Sequence, residues 1–247
     1  LSIASMKQDG YVDRTDGTDL GDDETLTGRF ALAWEPNDRF RADLAFDVTQ
    51  DRENGPALEL IGIDYTDLSQ LNGVVVAPPP PMAFIHNVTT AAMGPGQPCA
   101  ATDPAGNGVT SNPASPNCYD ARYIGADGTN EGTAPAYSET DVFGVSATLD
   151  FNLSDSLALK SITAYRELES DFARDGDHSP HRIAQFADTL DQEQFTQELQ
   201  LIGTHDRLDW ILGLYYFSEE GDNVNTLDFT VSNFRSGGAF DNTAWAA

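Results

Sequence analysis

The sequence predicts an all-β, antiparallel fold, and within that class the wall of a transmembrane β-barrel. Three observations carry the prediction: segments of strict apolar–polar alternation, a segment length of about ten residues, and connections that are alternately short and long. Alternation with period two marks strands with one apolar and one wet face. About 9–11 residues is the length at which a tilted strand crosses the hydrocarbon core of a bilayer. Short turns at one end and long loops at the other are the habit of outer-membrane barrels. A soluble β-sandwich also gives alternating strands, and on patterning it stays open as the alternative.

The elements follow in order. Leu1 to Lys7 reads as a partial strand, and residues 8–23, rich in Gly and Asp, as an acidic loop. From about Glu24 to Trp34, Leu26, Gly28, Phe30, Leu32 and Trp34 share one face. Glu35-Pro36-Asn37-Asp38 has the composition of a tight turn. From about Arg39 to Asp51, Phe40, Ala42, Leu44, Phe46 and Val48 face one way, and Arg41, Asp43, Asp47 and Thr49 the other. An irregular stretch then runs over about 52–138, with four consecutive prolines at Pro78 to Pro81. A loop of that length argues against a compact soluble domain unless it is functional or disordered.

Alternation returns with Phe143, Val145, Ala147, Leu149 and Phe151, and Ser154-Asp155 turns the chain. The strand over 157–172 alternates less cleanly, because Ile162 is out of phase with Leu157 and Leu159. A medium loop is expected over about 173–190, a strand around Phe195 to Ile202, a turn at Gly203-Thr204-His205-Asp206, and a strand lining up Leu208, Trp210, Leu212, Leu214 and Tyr216. Residues 218–224 read as another acidic loop, and Leu227 to Phe234 as the start of a further strand. Trp34, Phe40, Phe151, Phe195, Trp210 and Tyr216 lie near strand ends, as an interfacial aromatic girdle would.

The 247 residues carry 13 Lys plus Arg against 40 Asp plus Glu, a formal net charge of -27. That balance excludes a nucleic-acid partner, since phosphate backbones are bound by Lys and Arg. It is compatible with a barrel that puts acidic loops into water and keeps charge off lipid. No apolar run approaches the roughly 18 residues of a transmembrane helix. The opening LSIASMK reads as the end of a strand and the closing DNTAWAA as a loop, so an internal piece of a longer protein is expected.

Specific residues add to periodicity. The runs LKSITAYRELESDFARDGDHSP, DQEQFTQELQLIG and RLDWILGLYYFSEEGD resemble the β-barrel part of TonB-dependent outer-membrane receptors, and LSIASMKQDGYV and GDDETLTGRFALAWEPNDRFRADLAFD are similar to an earlier stretch of the same barrels. The resemblance covers the chain except the loop over 52–138. It implies a barrel of about 22 strands with a plugged lumen, of which this chain supplies about seven or eight, without the plug domain. It implies a receptor that captures a scarce solute such as a ferric siderophore at the surface of a Gram-negative cell and imports it with energy transmitted by TonB. Its partners are then TonB, the metal chelate, the bilayer and lipopolysaccharide. A passive porin or an adhesin is the alternative barrel.

Candidate site residues are few. Cys99 and Cys118 are the two cysteines, both in the long loop; a disulfide there restrains the unfolded chain by about 3 kcal/mol. Zinc is disfavoured because His86 is the loop's single histidine. Asp175, Asp177, His178 and His181 have metal-ligand chemistry, but short polar runs match metal spacing readily and solvated loop residues are the preferred reading. Asp13, Asp16, Asp19, Asp22 and Asp23 lack the ligand order of an EF-hand. Asn87 and Asn152 begin glycosylation sequons that arise often by chance. Arg29, Arg41, Asp43, Asp47, Lys160, Arg166 and Glu198 are expected to line the lumen, solvating the wall and meeting the plug. There is no G-x-S-x-G elbow, no H-E-x-x-H and no P-loop, so neither an enzyme nor a cofactor is expected.

Overall fold

The computed structural model describes residues 1–63, 101–102, 109–110, 118–181 and 183–229. The described residues form twelve strands: β1 (Ser2–Gln8), β2 (Val12–Arg14), β3 (Asp19–Leu20), β4 (Asp23–Asn37), β5 (Phe40–Glu53), β6 (Ala101–Thr102), β7 (Val109–Thr110), β8 (Thr129–Asn130), β9 (Tyr137–Ser154), β10 (Leu157–Asp175), β11 (Ala184–His205) and β12 (Leu208–Phe229). Seven of them make one antiparallel sheet in the order β1-β4-β5-β9-β10-β11-β12. Chain order and spatial order coincide, so each connection joins neighbours. The fold is an all-β partial barrel, open between β1 and β12 among the described residues.

The short connections sit at one end. Asp38-Arg39, Asp155-Ser156 and Asp206-Arg207 are two-residue turns. The Asn37 side-chain oxygen accepts from the Arg39 amide at 3.0 Å, the local hydrogen bond that makes Asn a turn former. Asn152 ties two turns together, donating through its backbone to Arg39 O at 2.8 Å and through its side chain to Asp38 O at 3.1 Å. Two irregularities lie at this end. Pro36 has no N–H, and the β4–β5 register jumps from Trp34↔Ala42 to Asn37↔Phe40 around it. Leu153 is the extra residue of a bulge where β9 meets β10.

The ladders sort the side chains, since directly paired residues share a face. One face carries Phe40, Phe151, Leu159, Leu201 and Leu212 side by side, then Ala42, Leu149, Ser161, Leu199 and Leu214. Among the described residues no second sheet covers it. Leu32, Leu44, Val48 and Leu214 stay exposed, Leu214 by 71%. Aromatic pairs bound the aliphatic stretch. Trp34, Phe40 and Phe151 stack at the turn end, with ring centroids 5.6 and 4.8 Å apart. Phe46 and Phe143 (5.3 Å) and Phe195 and Tyr216 (6.2 Å) form a second band. Beyond it the same face turns acidic. Glu167, Glu193 and Glu220 are direct neighbours across β10, β11 and β12, and Asp141, Glu169, Asp191 and Asp222 form the next row. Like charges in direct register are tolerable only in water, so the acidic rows mark where the apolar band ends.

The strands are longer than the alternation indicates, reaching 22 residues in β11 and β12. The medium loop expected over 173–190 shrinks to 176–183, and the acidic run 218–224 is strand, not loop. A ladder is held by backbone hydrogen bonds, which ask nothing of the side chains; alternation reports the depth of the apolar band, not the length of the strand. The turn expected at 203–206 falls at Asp206-Arg207 for the same reason. Ile162 belongs to the wet face, in register with Thr148 and Glu198, which accounts for its phase.

At the opposite end from the turns, the loops fold into a cap. The acidic stretch after β1 is not irregular: β3, β2 and β8 form a small sheet in which β2 and β8 run parallel. Its Val12 and Leu20 are buried, and a neighbouring cluster packs Tyr119 and Ile183 against Leu60, Ile63 and Tyr123. Gly21 and Gly55, both at positive φ, join the first loop to the start of the long one through Gly21 N to Gly55 O at 2.9 Å. The buried core of the described chain thus sits in the cap and at its junction with the sheet, while the wall itself has little beyond Ala42.

Candidate functional site

The wet face of the wall places the seven expected lumen residues together. Arg29 pairs with Asp47, Asp47 with Gly144, Gly144 with Arg166, and Arg166 with Gln194, forming one row across five strands. Arg41, Asp150 and Lys160 make a second row; Asp43, Thr148, Ile162 and Glu198 a third. Most of the charges are matched. Arg166 Nη2 donates to Asp47 Oδ2 at 2.8 Å, across the whole width of β9. Arg41 holds Asp43 through two bonds, of 2.7 and 2.9 Å, and also Glu35. Lys160 meets Asp150 at 3.2 Å. Such exposed pairs contribute little stability each; their effect is a hydrated, nearly neutral wall. Gly144 makes the long reach possible: a Cβ there would stand 2.9 Å from Asp47 Oδ2. A cavity of about 250 Å³ opens over this row, lined by Arg29, Asp47, Gly144, Arg166 and Gln194 among others.

The cap holds a buried polar knot. Asp175 at the end of β10 accepts four backbone N–H groups: Oδ2 from Thr133 and Ala134 at 2.9 and 3.0 Å, Oδ1 from Asp177 and His178 at 3.1 and 2.9 Å. Asp177 accepts from the Ser179 amide at 3.2 Å and its hydroxyl on one oxygen, and from the Ile183 and Ala184 amides at 3.0 Å on the other. Each carboxylate has about four acceptor sites, and all are used. His178 sits at φ 55°, its Nδ1 3.2 Å from the Asn130 side chain, and His181 Nε2 lies 3.3 Å from Cys118 O. These four residues are therefore staples of the turn over 176–183. No three of them bring ligand atoms within 4.8 Å of one another. Nor are they solvated: Asp175 and Asp177 are buried.

Burial first, then the Asp175 charge, pushes the Asp177 carboxyl up to about 7, against the pull of its hydrogen bonds. Burial lowers both His178 and His181, keeping them neutral at pH 7. Sequence reasoning did not single out Arg14, yet it locks the knot: buried at 6% exposure, it donates to Gly132 O at 3.1 and 2.7 Å and to Ala134 O at 2.9 Å. The available signal was its isolation, the one cation between Lys7 and Arg29 in an acidic stretch. Cys118 is buried and disulfide-bonded; Cys99, the other candidate, lies outside the described residues, as does Asn87.

Of the acidic-loop candidates, Asp16 and Asp22 are occupied by loop hydrogen bonds, to the Thr18 amide and to Asn54. Asp23 instead leaves the loop group and meets Asp51 and Glu53, the one described trio of carboxylates close enough to share a cation. Thr25 Oγ1 already bridges the first two, at 2.9 and 3.2 Å.

The wall and cap together define a class: an antiparallel partial barrel with an exposed apolar face, charged rows on the opposite face and, among the described residues, a folded cap at one end. No protein-family model matches the chain, and no curated protein does. Among solved structures it is similar to the ferric yersiniabactin uptake receptor FyuA from Yersinia pestis, with a TM-score of 0.50 and 14% sequence identity over 91% of this chain. The match spans 26% of that receptor's chain, and at such identity the likeness is one of fold.

Proposed function

We propose that the chain is a segment of the wall of a plugged outer-membrane barrel, part of an active receptor that binds a scarce solute at the cell surface and imports it with energy transmitted by TonB. One observation carries the reading: a seven-stranded sheet whose apolar face is exposed, bounded by aromatic bands and then by acidic rows. A soluble sandwich buries that face under a second sheet; a membrane wall gives it to lipid. The fold shared with an uptake receptor supports the same reading.

The short turns then face the periplasm and the cap faces outward, toward lipopolysaccharide, with the stretch over 52–138 as a surface loop folded partly into the cap. Arg29, Arg41, Asp43, Asp47, Lys160, Arg166 and Glu198 line the lumen and meet the plug carried elsewhere in the full protein. A metal chelate such as a ferric siderophore is the solute class. A diffusive pore wide enough for such a molecule would leak, which is the physical reason for a plug and an external energy source. The Cys118 disulfide is completed by Cys99, the other cysteine of the sequence, and pins the long loop to the cap.

The test is uptake by whole cells carrying the full-length protein. Ferric chelates should accumulate only with the protein in the outer-membrane fraction and only with TonB intact. Uptake indifferent to TonB makes the protein a passive barrel, and recovery in the aqueous phase without detergent sinks the membrane reading. A thiol assay on unreduced protein should find no reactive thiol; two reactive thiols would refute the disulfide.

A further inference from the structure

The ladders settle which side chains face the cavity of about 250 Å³ over the charged row. Arg29, Asp47, Gly144, Arg166 and Gln194 pair one to the next across five strands, and Ser146, Ala164 and Thr196 form the adjacent row of the same face. Val145 and Tyr165 also border the cavity, but each lies between two of these positions in sequence, so their side chains leave on the opposite face. The side chains around the cavity are therefore polar or small, with no ring and no aliphatic chain among them.

Most of the polar ones are donors without a partner. Among the described residues Arg29 forms neither a hydrogen bond nor an ion pair, and the side chains of Ser146, Gln194 and Thr196 form no hydrogen bond. An unneutralised arginine stands out in a chain with 40 acidic and 13 basic side chains. Its direct cross-strand neighbour is Asp47, but the missing side chain of Gly144 lets that carboxylate lean over β9 to Arg166 Nη2 at 2.8 Å. Arg166 keeps further N–H groups, since a guanidinium has five. Glu219, next along the row, is held by the Gln192 amide.

Guanidinium groups on both sides of Asp47 call for negative charge at two places. A single compact anion midway would meet the Asp47 carboxylate. A molecule with two or more carboxylates sets one on Arg29 and another on Arg166, each through the paired N–H bonds that a guanidinium offers. Three strand spacings, about 14 Å of backbone, separate the two arginines, and Arg166 closes part of that distance by crossing β9. The volume is below the roughly 300–1,000 Å³ of sites for drug-sized ligands, and the polar walls give an aromatic ring nothing to pack on.

We propose that this cavity is a binding site for a small aliphatic polycarboxylate: Arg29 and Arg166 grip separate carboxylates, and Ser146, Gln194 and Thr196 donate to the remaining oxygens. The site deepens the receptor reading by giving the inner wall a ligand class, and it rests on that reading for the wet face being the lumen.

Calorimetric titration of the full-length protein in detergent with citrate tests it. One saturable site is expected, with acetate and inorganic phosphate each bound at least about tenfold more weakly. Arg29→Gln should weaken citrate by a similar factor. Arg39→Gln removes the same charge at the turn between β4 and β5, outside the cavity, and should leave citrate binding unchanged. Asp47→Asn should tighten citrate, because the competing carboxylate is gone and Arg166 is released. Near-UV circular dichroism confirms that each variant is folded. No saturable binding of citrate to the wild type, phosphate bound as tightly as citrate, unchanged binding by folded Arg29→Gln, equal losses in Arg29→Gln and Arg39→Gln, or weaker binding by Asp47→Asn overturns the site. Uptake is scored separately: absent citrate binding with TonB-dependent chelate uptake intact removes this site alone, and citrate binding with uptake indifferent to TonB removes the receptor reading alone.

Discussion

At Gly144 a missing side chain makes room for an ion pair. The Asp47 carboxylate leans over β9 to Arg166, and a methyl group at 144 would stand 2.9 Å from it, closer than a real contact allows. Because the obstructed atom ends a flexible side chain, Gly144→Ala should fold, with Asp47 turned away. A double-mutant cycle on Asp47 and Arg166, read by denaturation in detergent, should show coupling in the parent and none in Gly144→Ala. Asp177 carries a pH dependence. Its folded carboxyl is raised to about 7 from an ordinary value of 3.8, so between those limits the folded cap holds a proton that the unfolded chain has released. Stability from this group is therefore full below about 4 and is lost as pH rises through about 7. The neutral histidines act in the opposite sense, losing stability as pH falls below 6.5. Both remain in Asp177→Asn, so the difference between the two proteins isolates Asp177. Amide exchange in the 176–183 loop should speed up from pH 5 to pH 8, after correction for intrinsic rates, more in the parent than in Asp177→Asn; equal pH profiles would count against a raised carboxyl.

A strand's two faces should respond differently to the same charge. Leu44 lies midway along the apolar run from Phe40 to Val48, and Thr148 on the opposite face stands in register with Asp43. Leu44→Arg should destabilise the folded protein in lipid vesicles by about 2–4 kcal/mol, the cost of a cation at the bilayer midplane of a barrel. Thr148→Arg should cost far less, since it meets water and a carboxylate. Equal penalties would mean that the apolar face does not meet lipid. The acidic rows beyond Phe143 explain why these strands outrun their hydrophobic pattern. Glu167, Glu193 and Glu220 in direct register belong in water, and the ladder continues through them because its bonds are between backbones.

For the molecule as a whole, the described sheet ends in two open strands, β1 and β12, each with an unpaired row of backbone groups. Such edges seek partners, and in hydrocarbon they are not tolerated. On the proposed reading as a wall segment, residues 1–247 expressed alone should precipitate on refolding into detergent-free buffer, as read by light scattering. A stable, monomeric, soluble 1–247 would overturn the wall architecture. The cap adds a second unit of stability, built from buried Val12, Leu20, Tyr119 and Ile183 and from the Asp175 and Asp177 knot. It gives the outer end of the wall a conventional core that the apolar band, facing outward, does not have.

The sequence by itself determined the strands of the wall, their order and which residues share a face. Leu44 with Phe46 and Arg41 with Asp43 follow from a period of two, and the turns at Asn37 and Ser154 follow from residues that hydrogen-bond their own backbone. These are local properties, repeated often enough to be read. Only the tertiary structure decided the rest: that β11 and β12 run on through acidic stretches, that Asp175, Asp177, His178 and His181 are tied into a loop knot, and that Arg14 reaches Gly132 across 118 residues of chain. Each depends on backbone groups brought together from distant segments. A backbone amide or carbonyl is the same in every residue, so the sequence carries no mark of which carboxylate or guanidinium it will meet.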